Sequence, residues 1–268
     1  MRKTVFKAGL LIIIALLLAS ILAGCVVIEK ETPGVPETKA EPIAPESSEK
    51  QIETTLDPVE SSNNSSEEKE DYSIGETNVS VWQDSIETEW VKVAVPVTNT
   101  GNANLYLETG TIDIEYSDGS LAQTLSMVSV YPQVIAPGET AYYFEETMYD
   151  GTDTEGLKLV PHVKAEKAKV DLIRFEVSDL QLKDEDFFGV KVIGRVMNNT
   201  DKDESMVYVV ANLFDAEGKL IGQQFDILTD SLAAGDKIGF ETSYLSSDLE
   251  VSDVANYEVI AFPYQYQW

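Results

Sequence analysis

The sequence predicts an all-β fold in two tandem copies, carried behind an apolar leader and a polar stalk. Three observations predict it. Short runs of alternating apolar residues recur from Tyr72 onward, divided by glycine-containing turn signals. No long stretch there has a 3.6-residue apolar period, although SDVANYEVI (Ser252 to Ile260) fits either state. The pattern also repeats at an offset of 99 residues.

The leader comes first. Arg2, Lys3 and Lys7 are followed by an uncharged run from Ala8 to Ile21, then by Leu22-Ala23-Gly24 and Cys25, the one cysteine in the chain. A basic start, an apolar run and a small-residue cleavage site make residues 1–24 a secretory signal peptide. The alternative is an uncleaved membrane helix, because Ala8 to Ile28 carries no charge and is long enough to span a bilayer. Either way the chain is tethered by its N-terminus and faces outward. Leu22-Ala23-Gly24-Cys25 resembles the lipobox of prokaryotic (bacterial) lipoproteins. That resemblance implies a diacylglyceryl group on the Cys25 sulfur and cleavage after Gly24. A thiolate suits such alkylation, and two acyl chains hold a membrane where one is marginal. The implied location is the extracytoplasmic face of the cell membrane. With Cys25 consumed, no thiol remains for a disulfide, so the core must be stable without cross-links.

Residues 25–71 form the stalk. After Cys25 they contain Pro33, Pro36, Pro42, Pro45 and Pro58, the runs ESSEK and SSNNSSEEKE, and no aromatic residue. Such a segment buries too little apolar surface to offset the entropy of ordering it, which predicts a disordered linker. Its end-to-end distance averages roughly 35–40 Å, extended further by charge and proline. It reads as a spacer from the membrane or as a binding tail.

Charge narrows the partners. The chain carries 19 basic and 47 acidic residues, a net charge of −28. Loss of the three leader cations takes this to about −31. This argues against nucleic acid, whose recognition needs a basic face, and against docking on anionic lipid head groups. Cations, basic partners or plain solubility are compatible.

The copies occupy residues 72–168 and 169–268. VKVAVPVTN (Val91 to Asn99) puts Val91, Val93, Val95 and Val97 on one face; VKVIGRVMN (Val190 to Asn198) repeats it. The same offset relates Asn99 to Asn198, Ile114 to Leu213 and Gly119 to Gly218, and two lost residues then relate Gly138 to Gly235. Asp118-Gly119 and Glu217-Gly218 signal tight hairpins; Pro137-Gly138 fits a type II turn. Several short strands per hundred residues predict tandem immunoglobulin-like β-sandwiches, without the cysteine pair of true immunoglobulin domains. Pro96 lacks a backbone donor, which predicts an edge or bulge. The second copy, in GVKVIGRVMNNT, VVANLFDAEGKLIG and SLAAGDKIGFET, resembles the FxLYD domain over about residues 187–242. Leu213 and Asp215 match its naming motif, Phe214 stands for tyrosine and Ala211 for the first phenylalanine. The first copy offers only the apolar pattern of Ile112 to Tyr116. This resemblance implies a β-rich fold in an exported protein and no chemistry.

Catalytic groups are sparse. His162 is the only histidine, and the repeat aligns it with Glu258, a surface position. No phosphate-cradling loop, nucleophile elbow or His/Cys zinc cluster is present in the sequence. A carboxylate-dependent hydrolase is the minor alternative. Asp150, Asp153 and Glu155 offer oxygen ligands at i, i+3 and i+5 for calcium, without the EF-hand pattern; Asp201, Asp203 and Glu204 are weaker because Lys202 interrupts them. Ile260, Phe262, Tyr264, Tyr266 and Trp268 share one face at period 2. That face reads as a final core strand, or as an aromatic strip for carbohydrate or protein contact. Asn64, Asn78 and Asn198 match the glycan-acceptor pattern by chance composition. The expected protein is non-enzymatic and without cofactors. It either displays its sandwiches for a protein or carbohydrate partner, or serves as a spacer or accessory in an envelope complex.

Overall fold

The structure, a computed structural model, describes residues 68–185, 189–243 and 248–265. The leader, Gly24, Cys25 and the stalk up to residue 67 lie outside the described residues, as do Tyr266 and Trp268.

The first half contains β1 (Tyr72–Ile74), β2 (Asn78–Gln83), β3 (Glu89–Asn99), β4 (Leu105–Leu107), β5 (Gly110–Glu115), β6 (Leu121–Val128), β7 (Val130–Tyr131), β8 (Val134–Ile135), β9 (Thr140–Met148), β10 (Lys158–His162) and β11 (Ala165–Lys167). The second contains β12 (Glu176–Glu185), β13 (Gly189–Met197), β14 (Val207–Phe214), β15 (Leu220–Leu228), β16 (Lys237–Glu241) and β17 (Asn256–Pro263). No α-helix occurs among the described residues; the ambiguous Ser252–Ile260 stretch follows a short 3₁₀ turn (Val251–Asp253) into β17.

Alternation decides which face of each strand is buried. Val91, Val93, Val95 and Val97 of β3 meet Ile112 and Ile114 of β5, Leu125 of β6 and Tyr143 of β9 in one core. The five-stranded sheet of β1, β2, β3, β9 and β7 thus faces sheet β10–β5–β6, and the small sheet β11–β4–β8 adds Leu105, Leu107 and Ile135 to the same core. In the second half, β12–β13–β16 faces β17–β14–β15 around Val192, Val196, Val209, Leu213, Phe240 and Ala261. The pairing is the same in both halves. β3 and β13 are the central strands of one sheet, and β5 and β14 of the other. All of these pairs are antiparallel. The fold is therefore all-β and compatible with immunoglobulin-like sandwiches.

The turn chemistry repeats with it. Gly119 (φ 84°) and Gly218 (φ 78°) each close a three-residue hairpin. Their N–H groups bond Tyr116 O (3.0 Å) and Asp215 O (3.1 Å), and left-handed backbone at that position favours glycine. Asn99 and Asn198 form matched buried corners. Asn99 Nδ2 donates to Ala103 O (2.8 Å) and Ile135 O (3.1 Å); Asn198 Nδ2 donates to Lys202 O (2.7 Å) and Leu232 O (2.9 Å). Each Oδ1 accepts a backbone N–H two residues on, from Gly101 and Thr200. The amides satisfy carbonyls that a chain reversal would otherwise bury unpaired.

Two expectations change. Pro96 is not on an edge strand, since β3 pairs β9 on one side and both β1 and β2 on the other. It sits where β1 ends and β2 has not begun, with its carbonyl accepting Gly75 N–H at 3.0 Å. The missing donor therefore falls in a gap of the neighbouring ladder. The folded part also begins before Tyr72. Asp71 O accepts from Thr100 N–H (3.0 Å) and Gly101 N–H (3.1 Å), and Lys69 O from Asn102 N–H (3.0 Å). Residues 68–71 are a strap on the first sandwich, further tied by the Lys167–Glu68 ion pair.

The described residues fall in one compact unit, whose two halves meet through the outer faces of their sheets. Ala94 of β3 and Phe144 of β9 cluster with Phe214 of β14 and Leu220 of β15. This explains the nearly continuous apolar run VYVVANLF. Val209, Ala211 and Leu213 face their own core, while Phe214 packs against the other half.

Candidate functional site

The seam between the halves gathers most of the chain's unusual side chains. Along β3 the outward residues are Trp90, Lys92, Ala94 and Pro96; their partners on β9 are Met148, Glu146, Phe144 and Tyr142. On β2, Trp82 and Ser80 lie beside Trp90 and Lys92. At the middle of this surface Lys92 is buried. It pairs with Asp248 of the second half and lies 3.9 Å from the buried Glu146 carboxylate. Glu146 Oε1 accepts Trp82 Nε1–H at 2.8 Å, and the Lys92 ammonium stands 5.6 Å from the Trp82 ring centroid. Trp82 and Trp90 stack at 6.0 Å.

At the opposite end lies an aromatic ladder. Tyr208 of β14 stacks on Tyr131 (5.8 Å), Phe262 (6.1 Å) and Tyr264 (5.7 Å). The Arg174 guanidinium sits 5.8 Å from the Phe262 ring and is held there by Glu139, whose carboxylate accepts at 2.9 and 3.0 Å. Burial pushes the Tyr131 and Tyr208 phenols above their ordinary value. Tyr264 is the exposed end of the ladder.

Between these ends a cleft of about 260 Å³ opens beside β1 and β2, lined by Glu76, Asn78, Pro96, Tyr142, Glu217, Lys219 and Leu220. A smaller hollow of about 120 Å³, reaching Lys92 and Asp248, shares Asn78, Ala94 and Leu220 with it. Asn78 Nδ2 bonds Leu220 O at 3.2 Å and Lys219 Nζ pairs with Glu76 at 3.3 Å, so both halves build the cleft.

Of the residues singled out from sequence, Tyr264 belongs to this surface. The core-strand expectation for its face is corrected. Val259 and Ala261 are the residues of β17 that point into the second core, while Phe262 and Tyr264 join the ladder outside it. The reason is register: β17 pairs residue for residue with β14, whose inward set is Val209, Ala211 and Leu213. Asp150, Asp153 and Glu155, the weak calcium candidate, lie in the loop after β9; among the described residues no three His, Cys, Asp or Glu side chains group to hold a metal. That loop is braced by its own bonds: Asp153 Oδ1 accepts Glu155 N–H (3.0 Å) and Asp153 O accepts the Tyr149 hydroxyl (2.6 Å). His162 is exposed, with Nε2 3.0 Å from Asp113 Oδ2. That carboxyl is held below its ordinary value by the Thr124 hydroxyl and then by His162.

Tyr131, Tyr208, Trp82, Trp90 and Lys92 carried no functional signal in the sequence. Alternation places them on outward faces, but only the docking of the halves separates buried from exposed. Compared with known proteins, the chain matches neither a family model nor a curated sequence.

Proposed function

We propose that this is a lipid-anchored extracytoplasmic protein, without catalytic activity, that presents two stacked β-sandwiches to a protein or carbohydrate partner. The basic start, the apolar run and Leu22-Ala23-Gly24-Cys25 support the anchor and the exported setting. The observation that carries the display reading is the seam. Rigid outer sheet faces gather Tyr131, Tyr208, Phe262 and Tyr264 into one ladder, leaving Tyr264 exposed at its end. Such surfaces bind by stacking and hydroxyl contact and need no nucleophile.

Labelling cells with radioactive palmitate tests the anchor: the wild-type chain incorporates label and Cys25→Ala does not. Equal labelling of the two would remove the anchor from the reading. Cross-linking from Tyr264 on intact cells tests display. A captured soluble ligand or extracellular protein supports it, whereas a stoichiometric envelope subunit favours the accessory role.

A further inference from the structure

The cleft at the seam has a composition that points to a ligand. Its lining is mixed: Ala94, Pro96 and Tyr142 of the first half and Leu220 of the second give an apolar side, and Thr77 and Asn78 add polar groups. Three charged side chains line it, Glu76, Glu217 and Lys219. Lys219 and Glu76 compensate one another across the seam at 3.3 Å. The Glu217 carboxylate has no ion-pair partner among the described residues, so the cleft keeps an excess negative charge. A further carboxylate, Glu258, lies close enough to Tyr142 to help burial push its phenol upward. About 260 Å³ falls just below the usual range of small-molecule pockets, roughly 300–1,000 Å³. That volume suits a single side chain or a short aliphatic molecule.

We propose that the seam cleft is a binding site for a primary alkylammonium group. The alkyl stem lies against Pro96 and Leu220, the ammonium passes the Tyr142 ring, and Glu217 takes the charge. The pieces fit because an apolar stem and a compact cation are the two halves of such a group, and an aromatic face stabilises a cation beside it. A neutral sugar would leave the excess carboxylate unmatched, and an anion would be repelled by a chain of net charge −28. The same chemistry is offered by a free amine and by a lysine side chain of a basic protein. The inference adds a ligand class to the display reading above; its test reads binding and not anchoring, so the two can fail separately.

The test is calorimetric titration of the full chain in detergent with n-butylammonium chloride, using n-butanol as the neutral match in shape. The amine should bind saturably and at least fivefold more tightly than the alcohol, and added salt should weaken it. Glu217→Gln should lose about fivefold of the amine affinity, as expected for one charge–charge contact near a surface. Glu217 sits in a hairpin turn and its carboxylate holds no hydrogen bond among the described residues, so this variant should keep its structure. Leu220→Trp, which fills the cleft, should abolish binding, with its thermal unfolding checked against wild type. Equal response to amine and alcohol overturns the proposal, as does unchanged affinity in Glu217→Gln. Nα-acetyl-lysine methylamide separates the sources. Its binding, lost on Nε-acetylation, assigns the site to a protein lysine; n-butylammonium binding without it assigns the site to a free amine.

Discussion

Gly101 is the sharpest test of the strap that residues 68–71 lay on the first half. A Cβ added there would lie 2.1 Å from Lys69 O and 2.9 Å from Asp71 N, both backbone atoms that cannot rotate aside. Gly101→Ala must therefore lift residues 69–71 off the loop. Four hydrogen bonds are at stake: Thr100 N–H and Gly101 N–H to Asp71 O, Asn102 N–H to Lys69 O, and Lys69 N–H to Asn102 Oδ1. At about 0.5–1.5 kcal/mol each they bracket a loss of roughly 2–6 kcal/mol, and exposure to water puts the expected loss near the bottom of that range. The backbone at Gly101 is not in the left-handed region, so alanine also stiffens the unfolded chain and returns about 0.4–1 kcal/mol. The net is about 1–2 kcal/mol, or a melting temperature lower by about 3–6 °C. The repeat supplies an internal comparison: its equivalent position is Thr200, which already carries a branched side chain, and among the described residues no strap like that of residues 69–71 bonds the backbone there. Thermal unfolding and hydrogen exchange at Thr100 and Asn102 would measure the effect. An alanine variant with wild-type melting and unchanged exchange at both amides would refute the steric argument.

Asn99→Ala and Asn198→Ala should each cost about 2–4 kcal/mol in urea unfolding, because each leaves buried carbonyls without donors; a clear inequality between them would break the equivalence of the two corners. Lys92→Ala removes the buried cation beside the Glu146 carboxylate, which keeps its Trp82 donor, and should cost about 3 kcal/mol, with partial recovery in Lys92→Ala/Glu146→Gln, read by a double-mutant cycle. Glu145 is raised above its ordinary value by burial alone, so its charge opposes folding at neutral pH, and that cost disappears as pH falls through the folded value. Glu145→Gln should accordingly raise the melting temperature at pH 7 and lose that advantage in acid. Asp113 has the opposite sign: lowered by Thr124 and then His162, it stabilises above its unfolded value and stops doing so as pH falls through its folded one, so Asp113→Asn should destabilise at pH 7 and less in acid.

Much of the fold was legible in the sequence because strand alternation and turn chemistry are local. Val91 to Val97 declare a buried face without reference to any partner, and Gly119 and Gly218 declare their hairpins through a backbone conformation that side chains resist. The 99-residue offset paired Asn99 with Asn198, and the two hydrogen-bond networks match. Pro96 misled because a missing donor shows only that no bond is made there, and not whether the strand is an edge or faces a gap in its neighbour. The aromatic run ending the chain was visible, yet its direction was not, since a one-residue change in the β14–β17 register would have turned Phe262 inward.

By itself, then, the sequence determined the strands, their inward faces, the turns and the 99-residue repeat of the pattern. Tertiary structure alone decided that Lys92 would be buried, that Tyr131 would meet Tyr208, that Gly101 would receive a strap, and that Glu217 and Tyr142 would line one cleft. The reason is that these contacts join segments tens to more than a hundred residues apart through the outer faces of two sheets. An outward-facing residue has the same local pattern whether water or another sheet covers it, so its role is set by docking and not by periodicity.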